Sequence, residues 1–519
     1  MDYILKYDLC KKEIIISNNI PYSVDLNSCF DSKNILTSSA IFNNHKFIAK
    51  SDFYGINTHY WFKDEKYFIC SNSLLKILEN LPNVKLNKDD IYDILFFGFT
   101  LSGRTIFENI RRLKASEKLY YDLIKGMLNI NKMHDLIEYF NKTDSELNEE
   151  NMARIIDNNF SHILINKPTI ALSAGSDTRT ILATLMKYNI HPEALSFGND
   201  RGLEMHEIKK LCKKYKVSLS VINPRIKSDN YINWLRKLSR NSNYLINGQN
   251  IHMATIFKST SVKRDIFLGF FGSEFLKGAL SELMISYPFK DLINGVSIKN
   301  IISKHFCYLK NDIQMEMEKH IENKIIKNVI CNDKNSTVIN YSFYNLPPNV
   351  FAGPIIFGQN QGYNIILPYL LKDILKYAFS TGFGITNNNN IIDNYNWRKS
   401  FIFQSKWAKL MSKKLYMSFM YQYGGSLWSV PRLPRKVNIL IKKIYETYTK
   451  IIYRKPFTGL IERNYLNCTK REYVKNKFND SMIANIIKEN TIHNMDRIKL
   501  DNIIYLLICE EAILNKKVK

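Results

Sequence analysis

Thr169-Ile170-Ala171-Leu172-Ser173-Ala174-Gly175-Ser176-Asp177-Thr178-Arg179-Thr180-Ile181-Leu182-Ala183-Thr184 is the stretch around which the chain is organised. It opens on a short apolar run, Ile170 to Leu172, and breaks into small residues from Ser173 to Ser176. Apolar residues then resume at helical spacing with Ile181, Leu182 and Leu185, which predicts strand, tight loop and helix. Small side chains let the backbone N–H groups of Ala174, Gly175, Ser176 and Asp177 approach an oxygen-rich ligand. The positive end of the helix macrodipole points at the same place. Ser173 adds a hydroxyl. Asp177 repels a phosphate, so a carboxylate in such a cradle implies a divalent cation bridging the two. The loop reads as a Mg-pyrophosphate site, and the alternative is an ordinary turn with Asp177 as helix N-cap. Neither of the common phosphate-loop spacings, Gly-x-x-x-x-Gly-Lys-Ser/Thr or Gly-x-Gly-x-x-Gly, is present.

A chain of 519 residues has room for two domains or more. With 45% hydrophobic and 23% charged residues it reads as globular and not as extended disorder. The formal net charge of +25 is carried by lysines scattered along the chain, which reads as solvated faces; the open alternative is a basic surface for RNA, anionic membrane or an acidic polymer. Cysteines at 10, 29, 70, 212, 307, 331, 468 and 509 show no Cys-x-x-Cys pair and no zinc-ligand spacing, so free thiols in a reducing cytoplasm are expected. Met1-Asp2-Tyr3 begins no secretory signal, and no apolar run is long enough to span a membrane.

Up to about residue 125, short β-rich runs alternate with turn residues such as Asn18-Asn19, Asn43-Asn44 and Lys63-Asp64. Strands are expected at Tyr3–Leu5, Glu13–Ser17, Ala40–Phe42, Phe47–Ala49, Tyr60–Phe62 and Tyr67–Ser71, forming an antiparallel sheet domain. Cys10 is expected in the core of the first strand. Residues 126–165 read as a helical connector, with Asn151 to Phe160 amphipathic. A nucleotide-binding α/β domain with a doubly wound parallel sheet is expected over 166–415, and a helical extension over 416–519. Within the α/β domain, Asp265-Ile266-Phe267-Leu268-Gly269-Phe270-Phe271-Gly272-Ser273-Glu274-Phe275-Leu276-Lys277-Gly278 repeats the logic of the first loop. Here the bland reading is a Gly-Ser-Glu N-cap. The clearer C-terminal helices are Leu371–Phe379, Ser400–Met411, Val437–Ile452 and Ile498–Leu514, with a loop at Asn387 to Asn390.

Leu172, Ser173, Gly175 and Asp177 resemble the Leu-Ser-Gly-Gly-x-Asp-Ser loop of the asparagine synthetase family of ATP pyrophosphatases, with Ala174 in place of its first Gly and Thr178 in place of its Ser. Ala194-Leu195-Ser196-Phe197-Gly198, Glu204 and Ser218 to Ile222 are similar to the segments that follow in that family. Gly269 to Gly278 resembles its second, acidic loop. In the front part, Ser51 to Trp61 and Thr105 to Leu113 resemble segments of the family's glutaminase domain. That domain's nucleophile is a processed N-terminal cysteine. Position 2 here is Asp2, so the resemblance implies a degenerate glutaminase-like domain that does not hydrolyse glutamine, as in β-lactam synthetases, lasso-peptide macrolactam cyclases and synthetase-like proteins of polysaccharide clusters.

The resemblance implies an AMP-forming amide ligase using ATP and Mg. Leu172, Phe197 and Gly198 would frame adenine, and Ser173 with the backbone of Ala174, Gly175 and Ser176 would hold pyrophosphate. Asp177 and Glu274 would hold Mg, with Lys277 facing the phosphates. A late lysine, Lys406 or Lys399, would balance the leaving charge. The substrates implied are a small-molecule or peptide carboxylate and an amine, with no DNA partner. In Tyr363-Asn364-Ile365-Ile366-Leu367-Pro368-Tyr369-Leu370-Leu371, Asn364 stands where the family has its catalytic Glu, Ile366 for its Arg and Leu371 for its Asp. An amide has no useful basicity, so the general base is Tyr363, an unplaced carboxylate, or none. A lasso-type peptide macrolactam cyclase is the alternative within this class; a tRNA-modifying ATP pyrophosphatase and a non-catalytic scaffold are the alternatives from other classes.

Overall fold

The structure is a computed structural model that describes residues 2–517, except 19–21, 26–36, 44, 102, 141–145, 162–167, 199–201, 223–227, 249, 258–263, 278–284, 382–396, 421–424 and 454–462. The expected loop at Asn387 to Asn390, the turn residues Asn19 and Asn44, Cys29 and Gly278 lie outside the described residues.

Among the described residues ten strands build the front part: β1 (Ile4–Asp8), β2 (Glu13–Asn18), β3 (Tyr22–Asp25), β4 (Thr37–Asn43), β5 (Lys46–Lys50), β6 (Tyr60–Lys63), β7 (Tyr67–Ser71), β8 (Ile110–Arg112), β9 (Glu117–Asp122) and β10 (Met127–Lys132). They form two antiparallel sheets, ordered β2-β1-β7-β6-β8 and β10-β9-β5-β4-β3. Alternation sorts their side chains: Phe47 and Ala49 of β5, and Leu119 and Tyr121 of β9, point inward, while Lys46 and Lys50 stay in water. The two inner faces meet in one cluster with Tyr3, Leu5, Phe68 and Cys70. At its centre Phe68 stacks on Tyr121 at 3.8 Å between ring centroids.

Each strand expected in this region is present. The stretch read as a helical connector opens instead with β10, because Met127 to Lys132 pairs residue by residue with β9 across the turn that follows Asp122. Its helices begin later, at Leu136–Phe140 and at α1 (Glu149–Phe160). Cys10 is not a core residue: β1 ends at Asp8, whose carboxylate caps the turn by accepting from the Cys10 and Lys11 N–H groups, and the thiol is exposed. Asp52 of the Asp-x-x-Gly segment ties its own turn, accepting from Tyr54 N and Ile56 N at 2.9 and 3.1 Å.

The second part is a parallel sheet of β11 (Thr169–Ala171), β12 (Glu193–Phe197), β13 (Leu219–Ile222), β14 (Arg264–Phe267) and β15 (Tyr363–Ile366), in the order β13-β12-β11-β14-β15. Ile170, Ala194, Ile266 and Phe267 are fully buried, as central strands covered on both faces must be. Helix α2 (Ser176–Lys187) and helix α3 (Leu203–Tyr215) make the crossovers to β12 and β13. A later helix, α4 (Trp397–Met411), packs on α2, where the buried Trp407 indole donates to Thr184 Oγ1 at 2.9 Å. The C-terminal region carries α5 (Arg435–Tyr453) and α7 (Arg497–Lys517), close to the expected helix positions, and α6 (Arg463–Lys477), which was not among the helices singled out. The two sheet systems share one apolar core. Polar ties cross between them, among them Arg112 Nη1 donating to Pro348 O at 2.9 Å and Tyr54 Oη to Leu370 O at 3.2 Å. Among the described residues no helix is long and apolar enough to cross a membrane.

Truncating Phe68 to Ala removes the ring at the centre of the sandwich and is expected to cost about 3–5 kcal/mol in chemical denaturation. His59 gives a pH signature. Its ring is buried between Tyr3 Oη, 2.8 Å from Nδ1, and Ser38 Oγ, 3.0 Å from Nε2, and burial pulls its pKa down to about 4. A depressed histidine favours the folded state above its unfolded pKa of about 6.5, and that contribution is lost as pH falls toward the folded value. Thermal melts should therefore drop between pH 7 and 5, and a His59→Gln variant should show a flatter profile over the same range.

Candidate functional site

In the order β13-β12-β11-β14-β15 the chain runs outward from β11 to β13, then returns to lay β14 on the other side of β11. Strand order reverses between β11 and β14, and the loops leaving their carboxyl ends diverge around a crevice, which is where open α/β sheets bind ligands. The two loops singled out in the sequence are these two.

The first loop is held by its own hydroxyls. Thr178 Oγ1 lies 3.1 Å from both the N–H and the Oγ of Ser173, and Gly175 N donates to Ser173 Oγ at 3.2 Å. Glu204, opening α3, accepts from Ala174 N at 3.5 Å. Gly175, with extended backbone, is the N-cap of α2, and no side chain caps the helix. Asp177 is therefore the second residue inside the helix and not its cap. The first turn of α2 keeps its N–H groups for an incoming acceptor.

Asp177 turns instead to the second loop. Its Oδ2 accepts from Ser273 Oγ at 2.7 Å, and its Oδ1 accepts from Gln404 Nε2 at 2.6 Å and pairs with Lys277 Nζ at 2.9 Å. Lys277 is 1% exposed, donates to Ser176 Oγ at 2.8 Å and lies over the Phe401 ring. Glu274 is buried in the same cluster. Burial, with the nearby charge of Asp177, pushes its carboxyl up to about 7, against the pull of Lys277. Close approach of the loops requires glycine at two places. A Cβ on Gly269 would stand 2.8 Å from Thr178 Cγ2, and one on Gly272 would stand 2.8 Å from Asp177 Cγ and from the Tyr369 ring. Gly272 begins a π-helical turn whose N-cap, Phe271, is left-handed at φ 69° and makes no side-chain cap bond. The Gly-Ser-Glu sequence is thus no N-cap either, because its serine is spent on Asp177.

Ser173, Ala174, Gly175, Ser176, Asp177, Glu274 and Lys277 are brought together as the sequence implied. Leu172 is buried at the end of β11, and its N–H donates to Leu195 O at 2.8 Å. Phe197 and Gly198 end the neighbouring strand β12, with Gly198 at φ 145° and its N–H donating to Ile222 O at 3.2 Å. Lys406 is placed elsewhere: its ammonium donates to Leu147 O at 3.2 Å, near the start of α1. It sits two positions from Gln404 on α4, about 200° around the helix, so the two side chains leave opposite faces. Lys399 lies in α4, and its side chain is outside the described residues. Asn364 pairs with Asp265 in the β14–β15 ladder and donates to its Oδ1 at 2.6 Å, near the amino end of the strand and away from the crevice. Gln404 and Tyr369, whose Oη donates to Asp177 O at 2.7 Å, were not assigned from sequence. Tyr369 carried one signal, its place beside Pro368 in the quoted segment.

No group of three or more His, Cys, Asp and Glu able to hold a metal occurs among the described residues. Two carboxylates with hydroxyls still suit magnesium, which keeps several waters and takes one or two carboxylates together with substrate phosphates. Gln404 Oε1, buried and without a hydrogen-bond partner, is an acceptor suited to a cation's water shell. No family model matches the chain, and no curated protein matches it.

Replacing Lys277 by Met would leave the buried Glu274 and the partly buried Asp177 with no balancing ammonium. A loss of about 3–5 kcal/mol is expected in urea denaturation. The Asp177→Asn/Lys277→Met double variant should recover a measurable part of it, because the orphaned charge goes as well.

Proposed function

We propose that the chain is an ATP-dependent, AMP-forming amide-bond ligase, which activates a substrate carboxylate and passes it to an amine. The observation that carries this reading is the uncapped N-terminus of α2 at the strand-order reversal, with Asp177 and Glu274 from adjacent loops beside it. An anion-binding helix end with two acidic side chains at its mouth suits a triphosphate that arrives with a cation.

In this reading a carboxylate oxygen attacks the α-phosphorus of ATP, and the bond to the β-phosphate oxygen breaks to release pyrophosphate. An amine nitrogen then attacks the acyl carbon, loses its proton and expels AMP. The N–H groups of Ser176 and Asp177, with the Ser173 hydroxyl, bind the departing oxygens, and Lys277 adds positive charge from beneath. Magnesium, held by Asp177 and Glu274, would neutralise phosphate charge. Leu172, Phe197 and Gly198 are the candidates for the adenine side of the crevice.

No thiol of the front sandwich described in the structure suits glutamine hydrolysis. Cys70 is sunk between the sheets, where burial pushes its thiol up to about 12, and Cys10 is exposed on a turn. In this reading the amine comes from solution or from a partner. The six described cysteines are unpaired, which supports a cytoplasmic setting. A second reading, a scaffold that keeps the fold without the chemistry, is favoured by Lys277 holding Asp177 so closely.

The test is ATP–pyrophosphate exchange with a panel of amino acids, uronic acids and short peptides as carboxylates. Exchange with at least one is expected, and Asp177→Ala should abolish it. An unchanged rate in that variant rejects the assignment, and failure of the wild type to bind Mg·ATP in calorimetry favours the scaffold.

A further inference from the structure

A second cavity lies on the outer side of α2, away from Asp177. Arg179 is two positions beyond Asp177 and so points about 200° around the helix from it. Its guanidinium is 1% exposed, and Nη1 donates to Phe419 O at 2.7 Å. Its Nε is buried with no hydrogen-bond partner among the described residues. A buried guanidinium keeps its full charge in a poorly screened place, and Arg179 lines the cavity. The space, about 530 Å³, lies between α3 and α5 and falls within the range of small-molecule sites.

The lining divides by chemistry. Arg179 stands at the buried end, with Lys210 and Lys214 on α3 as the further cations. The one carboxylate among the described lining residues, Glu207, accepts from the Tyr445 hydroxyl and lies 3.5 Å from Lys210 Nζ. That leaves an excess of positive charge, which suits an anionic head. Leu211, Ile441 and Ile444 make the apolar side. The apolar surface continues outward along α5, where Leu440, Ile444 and Tyr448 are 57, 60 and 59% exposed on one helical ridge. Large side chains this exposed in a row mark a surface that something covers.

We propose that the cavity between α3 and α5 binds a small amphiphilic anion, its head at the positive end formed by Arg179, Lys210 and Lys214 and its chain along Leu211, Ile441 and Ile444 toward the ridge of α5. Lys210 and Lys214 meet the head, the buried charge of Arg179 stands behind it, and the aliphatic chain covers Ile444 and Tyr448. The site is separate from the nucleotide reading and stands whether or not ATP binds.

Calorimetric titration of the full chain with dodecanoate below its micelle concentration tests this, with dodecanol and dodecyl phosphate as comparison probes. Saturable one-to-one binding of dodecanoate and of dodecyl phosphate is expected, each at least tenfold tighter than dodecanol. Ile444→Asp, at an exposed position that does not threaten folding, and Lys214→Glu should each weaken it at least tenfold. Arg179→Met should remove it, with far-UV circular dichroism to confirm that the variant folds. Absence of saturable dodecanoate binding overturns the proposal, as does equal binding of dodecanol or binding unchanged in both Ile444→Asp and Lys214→Glu.

Discussion

Two carboxylates side by side, one buried and one partly buried, need a positive partner, and in this protein that requirement is met by Lys277. Asp177 enters from the end of β11 and Glu274 from the end of β14, and the ammonium of Lys277 reaches Asp177 from the same turn as Glu274. At full ionisation the three side chains carry one net negative charge. The cluster is thus balanced enough to fold and still attractive to a cation or a cation-bound phosphate. Like charges brought into a low-dielectric crevice raise their own pKa, and the upward shift of Glu274 to about 7 is that effect, with burial as its larger cause.

The surroundings serve this closeness. Gly269 and Gly272 let the second loop lie directly against Thr178 and Asp177, where any Cβ would collide. Tyr369 pins the Asp177 carbonyl, and Gln404 its carboxylate. Gln404 is delivered by α4, which is fixed on α2 by the buried Trp407 one helical turn further along. The front sandwich adds its weight through Tyr54, which bonds to Leu370 next to Tyr369. An arrangement assembled from five separate stretches of chain is held by contacts that are buried or partly buried, and such fixity is what the proposed recognition of an anion by N–H groups requires.

Local pattern carried much of this. The apolar run, small-residue loop and helix from Thr169 to Thr184 could be read directly, because strand and helix periodicity change within a few residues. The same was true of the second loop and of the alternating front strands. What escaped was set by distant partners. Met127 to Lys132 looks helical in isolation and is a strand because β9 offers it an edge. Cys10 falls outside β1 because Asp8 folds the chain into a turn. Gln404 rather than Lys406 faces Asp177, which depends on the rotation of α4 about its axis, a quantity fixed by Trp407 packing and by no motif. Asn364, singled out by a resemblance, is a cross-strand partner of Asp265. A resemblance in the local sequence does not convey which end of the strand meets the crevice.

The account rests on the mouth of α2 receiving phosphate oxygens beside a cation gripped by Asp177 and Glu274. A crystal structure with manganese and a non-hydrolysable ATP analogue, with the metal located by anomalous scattering, measures this directly. The account predicts a manganese peak between those two carboxylates, and phosphate oxygens within hydrogen-bond distance of the Ser176 and Asp177 N–H groups. Nucleotide bound away from the β11 and β14 loops, or a metal that touches neither carboxylate, would contradict it.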